Sequence, residues 1–353
     1  MTIYFYSAEC GDAARISFLD KAGNIRNIFV DSGYERTYRS ILRNEINALF
    51  DAGEKIDLWV LTHDHDDHIG GALKYIRDIR TGFIQDIVKD WDCIALDDTL
   101  IRELPSTDIS SAMSASQGNE IRDYIYSLKE RPYSMPMAFH EKFIENFKLT
   151  FLSPTASSID LIRKQCYKKD EAVVSMPMAS TQSDYNQKLM KFDLTYQERD
   201  SNLLNLSSIA FIAEVSDQKM LWLADSHADS IVESLRLLGY SETNKLSCSV
   251  AKLSHHGSAS NCSDELFSLL DCENYVISAN GENIHNLPNK KCIARLLRNE
   301  HRGDKHYNIY FTYDNDIIKS IFENEDLGIY EELDFSIIFP KKGENFLCVR
   351  LND

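Results

Sequence analysis

Apolar and polar positions alternate along the first thirty residues, and a period of two marks a half-buried strand. Ile3–Ser7, Ala14–Leu19 and Ile25–Val30 read as strands, the last two joined by a glycine turn at Lys21–Asn24. Asp31-Ser32-Gly33 then ends the third strand sharply. From Tyr38 to Phe50 the period lengthens, with Ile41, Leu42, Ile46, Leu49 and Phe50 on one helical face. Asp57–Leu61 is a short apolar strand and Ile69–Ile79 again has helical spacing. Strand, turn, strand, helix, strand, helix predicts an α/β protein with mixed sheets.

The middle of the chain is less periodic. Residues 100–146 read as helical and polar, with an amphipathic piece at Ile121–Leu128, and Phe147–Leu152 is a strand closed by Ser153-Pro154. Residues 155–200 are polar, charge-balanced and weakly periodic, the pattern of an insertion or lid. Regular structure returns with strands at Ser208–Val215, Met220–Ala224 and Val250–Leu253 and a helix at Ile231–Leu238. The tail alternates again at Tyr307–Thr312, Phe335–Phe339 and Phe346–Leu351. These C-terminal strands, within 301–353, are expected to complete a sheet, so that residues 1–353 form a single domain.

Composition narrows the class. Of 353 residues, 43% are apolar and 26% charged, and 17 Tyr, 17 Phe and 3 Trp supply ample surface to bury, which argues against disorder. No apolar run reaches the ~18–20 residues of a membrane helix, and the N-terminus lacks a basic stretch followed by an apolar one. A cytoplasmic protein without a membrane association is expected. Eight scattered cysteines without a CxxC pair fit reduced thiols better than a disulfide framework or a thiolate zinc site. With 38 Lys and Arg against 55 Asp and Glu, the formal charge is −17, which argues against a passive nucleic-acid binder. An enzyme acting on phosphate esters stays open, because bound cations supply local positive charge.

The chemistry concentrates at His63-x-His65-x-Asp67-His68, where a strand runs into a helix. Histidines at i and i+2 leaving a strand point into one pocket, and the adjacent Asp67-His68 pair reaches a second cation position. Imidazole and carboxylate donors together suit zinc, manganese or iron rather than calcium or magnesium. A polar surface loop would be the plain alternative. Three of ten histidines within six residues after a buried strand speak against it.

The run Leu61–Gly71, LTHDHDDHIGG, resembles the signature of the metallo-β-lactamase fold superfamily. Further segments in the same order resemble the metallo-β-lactamase-like domain of ComEC competence proteins: Cys10-Gly11-Asp12-Ala13, Val30–Gly33, Phe151–Pro154, Asn205–Ser208, Leu221–Asp225, Lys252–Ser258, Ile277-Ser278 and His285-x-x-Pro288. The similarity spans most of residues 3–300, leaving 80–200 divergent.

The resemblance implies an αββα sandwich with an insertion in mid-chain and one or two divalent ions, Zn or Mn, at one edge. His63, His65, Asp67, His68, Asp225 and His255 are the implied metal ligands, with Asp225 bridging. Asp67, His256 and His285 are the implied catalytic groups, His256 serving as acid or substrate contact. Asp31 would orient a ligating histidine, while Ser32 and Asp12 carry weaker signals. One departure stands out. Many members carry a further histidine ligand upstream of the bridging aspartate, and Asn202–Ser208 has none; His227 is one candidate to fill that gap. The implied activity is hydrolysis of phosphodiesters by a metal-activated water, with a nuclease first. The substrate would be DNA or RNA, or a small phosphodiester. A third expectation is a metal-bearing subunit gated by a protein partner docked on the divergent region.

Overall fold

The computed structural model describes residues 1–94, 109–128, 134–166, 183–283 and 285–351. Strands β1 (Thr2–Tyr6), β2 (Ala13–Leu19), β3 (Ile25–Asp31), β4 (Leu58–Val60) and β5 (Trp91–Asp92) lie in chain order in a first sheet. The second sheet takes β6 (Glu141–Ile144), β7 (Phe147–Phe151), β8 (Phe211–Val215), β9 (Gln218–Trp222), β11 (Val250–Lys252), β13 (Asn274–Ile277), β14 (Tyr307–Phe311) and β15 (Phe335–Ile338). β10 (Leu246–Ser247) and β12 (Leu270–Asp271) pair separately, and β16 (Phe346–Arg350) returns to the first sheet beside β1. In each sheet an antiparallel half adjoins a parallel half. β3, β4 and β5 are parallel in the first, and β9, β11, β13, β14 and β15 in the second.

Strand alternation sorts the apolar residues into three layers. Val30, Leu58 and Val60 of the first sheet meet Phe147, Phe211, Met220 and Trp222 of the second in a core between the sheets. Their neighbours Phe29, Trp59 and Leu61 point the other way and pack under the helices Arg43–Asp51 and Asp66–Arg80. Leu221 and Leu223 likewise face the helices Ala228–Leu237 and Lys290–Leu297 on the far side. Helix, sheet, sheet, helix is the resulting order, and the α/β class and αββα architecture match the expectation. Aromatic stacking closes two of these layers: Trp59 on Trp91 at 5.0 Å, and Trp222 on Phe5 at 5.7 Å. Each such pair adds about 0.5–1.5 kcal/mol beyond its buried area.

Two stretches differ from their sequence reading. Residues 100–146 were expected to be helical, and Ile109–Leu128 is a helix, but Glu141–Ile144 is the edge strand β6, hairpinned to β7. Its apolar Phe143 is exposed, so the alternation that marks a strand elsewhere has no core to follow. Residues 100–108 and 129–133 of that stretch lie outside the described residues, as does 167–182 of the expected insertion. Within 155–200, Ala156–Cys166 is helical. The segment 183–200 is fastened to the helix Lys290–Leu297: Asp184 accepts the backbone N–H groups of Lys290 and Lys291 at 2.9 and 2.8 Å, and Leu189 and Phe192 enter the outer core. The C-terminal strands join both sheets, β14 and β15 in the second and β16 in the first. Among the described residues no disulfide forms, and no helix is long and apolar enough to cross a membrane.

Candidate metal centre

The parallel strands of both sheets end along one edge, and the polar residues gather there. Asp31 ends β3, Thr62 and His63 follow β4, Asp225 follows β9, Ser254–Gly257 follow β11 and Ser278 follows β13. Strand ends of this kind are where open α/β sheets bind ligands, because the chain turns away and leaves a crevice. A hydrogen bond from Ile209 N to Thr62 O, at 2.8 Å, ties the two sheets together beside it.

Asp31, fully buried, organises the first half of the site. It accepts Thr62 N at 2.7 Å, Thr62 Oγ1 at 2.8 Å and His68 Nδ1 at 2.9 Å. A carboxylate can only accept, so His68 carries its proton on Nδ1 and turns Nε2 inward. His256 is set the same way by Nδ1 donating to Ser278 O at 2.9 Å. Ser32 caps the arrangement, its Oγ donating to His68 O at 2.7 Å and accepting Ala72 N at 2.8 Å. Backbones here are in close contact: a Cβ on Gly11 would stand 2.2 Å from Asp67 O, and one on Gly71 2.4 Å from Ser32 O.

Two donor groups share Asp225. His63 Nε2 lies 3.0 Å from His65 Nδ1 and 3.5 Å from Asp225 Oδ2. On the other side, His68 Nε2 lies 3.5 Å and His256 Nε2 3.8 Å from Asp225 Oδ1, and Asp67 Oδ2 is 3.3 Å from His256 Nε2 and 3.7 Å from His68 Nε2. Donors held about 2.0–2.2 Å from one tetrahedral ion sit roughly 3.3–3.6 Å apart, so these separations suit two cation positions linked by one carboxylate. His68 Nε2, His256 Nε2 and Asp225 Oδ1 are all buried with no hydrogen-bond partner. Unpartnered buried polar atoms are costly, and three of them converging from separate segments of the chain fit a cation.

His255, expected as a ligand, and His256, expected as an acid or substrate contact, face opposite sides of Asp225. His256, buried, stands with Asp67 and His68, whereas His255 faces the His63 side, its Nε2 3.7 Å from Asp225 Oδ2. The reason is local. Both residues adopt left-handed backbone, φ 45° and 53°, which sends consecutive rings to opposite sides of Asp225. Glu9, Asp31 and Ala224 are also left-handed at this edge, and such strain gathers where a surrounding site holds it. His227 turns outward, donating from Nε2 to Asn202 O at 3.0 Å. His285 lies on an exposed turn, outside the three His/Asp clusters found among the described residues.

Several contributors were not legible in the sequence. Lys252, fully buried, pairs with buried Asp12 beside the centre; a lysine inside an all-buried strand was the signal available. Asp200 and Asn261 hold His255. Arg122 of the helix Ile109–Leu128 pairs with Asp64 at 2.6 Å, and Gln117 reaches Asp66 at 2.9 Å, bracing the motif from behind.

Charges follow from this crowding. Burial pulls His68 down, but Asp225, Asp31 and Asp67 outweigh it and push it up to about 10. Burial is likewise outweighed at His255, which Asp225 and Asp200 push up to about 9. Burial and the neighbouring rings hold His63 low. Burial acts upward on Asp67, yet His68 and His256 hold it well below the usual carboxylate range. An imidazole must lose its proton to bind a cation at that nitrogen. Cation binding at neutral pH is therefore expected to release protons and to tighten as pH rises; calorimetry in two buffers of different ionisation enthalpy measures the number, and zero release would contradict it. In the absence of metal the sign is opposite. His68 is raised from its unfolded value of about 6.5, so its contribution to stability is full below that pH and is lost as pH rises through about 10. Asp31→Asn is expected to weaken cation binding by about 10–100-fold, the range for partners that orient a ligand, as read by competition with a chromogenic chelator.

A two-sheet sandwich with a His/Asp centre shared by one aspartate is the metallo-β-lactamase fold. Residues 21–84 match the family model described as the metallo-beta-lactamase superfamily. Among the described residues, the groups that could hold a metal ion are His63, His65 and Asp225; Asp67, His68 and His256; and Asp12, His68 and Asp225. No curated protein matches the sequence. Among solved structures, Zn2+-bound PqqB from Methylobacterium extorquens is similar at 9% identity and a TM-score of 0.43, covering 99% of this chain and 100% of its own. CmlA, a diiron β-hydroxylase from Streptomyces venezuelae, is similar at 11% identity and a TM-score of 0.42, covering 99% of this chain. This chain covers 54% of CmlA, about half its length.

Proposed function

We propose that the chain is a metal-dependent hydrolase of phosphodiester bonds, acting as a nuclease on DNA or RNA. The observation that carries this reading is the Asp225 carboxylate, whose two oxygens face separate donor groups. Divalent ions bound there, Zn2+ or Mn2+, supply a water of near-neutral pKa and positive charge against a phosphoryl oxygen. Asp67 takes the role of ligand and acceptor of the water's proton. His256 holds its bare Nε2 toward the same carboxylates, and His285, on its exposed turn, is the proposed contact from the solvent side. Lys252 pairs with Asp12; at Asp225 burial acts upward, but His255, His68, His256 and Lys252 together hold the carboxyl below its ordinary value.

The phosphodiester class rests on the resemblance of Cys10–Ala13, Asn205–Ser208 and Lys252–Ser258 to the ComEC-type domain. A second reading, a hydrolase of small phosphodiesters such as cyclic nucleotides or phosphorylcholine-type esters, is favoured by the net charge of −17. An acidic molecule repels a polyanion more than a small ester.

End-labelled single- and double-stranded DNA and RNA, incubated with the protein and Mn2+ or Zn2+, are expected to be cleaved. EDTA and Asp67→Ala should each abolish that cleavage. Intact polymers beside hydrolysis of a small phosphodiester would select the second reading, and failure on both substrates would sink the class.

A further inference from the structure

On the His63 side the centre is one donor short. His63, His65 and Asp225 supply three, and Asn202–Ser208, where relatives of this fold are expected to add a histidine, contains none. We propose that His255 completes this position through Nε2, and that Asp200, brought in by the segment 183–200, is the positioning residue for its ring. This rests on the metal reading of the centre and not on the choice of substrate.

The ring's orientation is closed from one side. His255 Nδ1 donates to Asn261 Oδ1 at 2.9 Å, with Asp200 Oδ2 at 3.6 Å. Asn261 presents its oxygen because its Nδ2 is committed to Asp200 Oδ2 at 2.9 Å and to the carbonyls of Asp225 and Ser226 at 3.2 and 3.3 Å. That leaves Nε2 to face the centre, 3.7 Å from the same Asp225 oxygen that His63 Nε2 approaches at 3.5 Å. The His63 spacing suits an edge of one coordination shell; His255 Nε2 stands just beyond that range and outside the group of His63, His65 and Asp225, so ligation requires a small inward shift of its ring. A carboxylate behind a ligating imidazole fixes the ring and raises its basicity.

The alternative donors are occupied. His227 commits Nε2 to Asn202 O. Asn205, fully buried in the stretch that lacks the histidine, gives its Nδ2 to Asp200 Oδ2 at 2.8 Å. It works as a brace for Asp200, so the residue that stands near the missing ligand supports its substitute.

The test is cation affinity and the Co2+ absorption spectrum of the purified protein, with His255→Ala, His255→Gln, Asp200→Asn, Asp200→Glu and His227→Ala. His255→Ala and His255→Gln are expected to weaken one cation at least about 100-fold, beyond the range for outer partners. Loss of an imidazole should also shift the Co2+ d–d bands. Asp200→Asn should weaken the same cation by about 10–100-fold, with partial recovery in Asp200→Glu, and His227→Ala should match the parent. Wild-type affinity and spectrum in either folded His255 variant would overturn the assignment, as would loss of the cation in His227→Ala instead. Unchanged affinity in Asp200→Asn would overturn the positioning role. Should His255→Ala fail to fold by circular dichroism, His255→Gln and Asp200→Asn decide. Tight cation binding without cleavage of any phosphodiester would sink the proposed function and leave this inference standing.

Discussion

Asp225→Asn is expected to cost the protein its cations while leaving the fold in place. The amide keeps the volume but has one oxygen and no charge, so it cannot face both donor groups as an anion. Asp225 also offsets the positive character of His68 and His255 around it, so the change weakens binding on both sides at once. The loss of affinity should exceed the roughly 100-fold ceiling for residues that merely orient a ligand, and hydrolysis should fall at least as far. Elemental analysis after dialysis, with circular dichroism as the folding control, reads the result. A folded variant that keeps the parent's metal content would mean that Asp225 does not link the two groups.

The second large effect concerns stability. Lys252→Met is expected to destabilise the protein by about 3–5 kcal/mol, the cost of breaking a buried pair and leaving its partner charged. Asp12 is buried with Oδ1 already lacking a partner, and His256 Nδ1, 3.6 Å away, is committed to Ser278. Adding Asp12→Asn to Lys252→Met should recover much of the loss, because position 12 then carries no unpaired charge. Bound metal should also stabilise Lys252→Met more than the parent, since a nearby cation takes over part of the lysine's work. Chemical denaturation with and without chelator measures all three. A single variant as stable as the parent would contradict the paired role.

What could be read beforehand was local. Histidines at 63, 65 and 68 fall within six residues at the end of a buried strand, and their spacing alone places them together. The layered architecture followed from alternation at Ile28–Val30, Leu58–Leu61 and Met220–Leu223, where a period of two separates the two cores. The long-range partners were invisible. Lys252 and Asp12 lie 240 positions apart, and Asp200 lies 55 from the histidine it faces. The choice between His255 and His256 turned on two left-handed residues with no glycine to announce them. β6 escaped notice because an exposed edge strand needs no apolar face.

The donors of this centre come from opposite halves of the sandwich: His63, His65, Asp67 and His68 from the first sheet's edge, Asp225 and His256 from the second's. A bound ion is therefore a rivet across the seam between two sheets that otherwise meet mainly through apolar side chains. Loading it should slow amide hydrogen exchange at the ends of β4 and β11 together, though no hydrogen bond joins them. Chelation should let that edge of the sandwich breathe first, while exchange at the far edge, around β6 and β7, stays as it was.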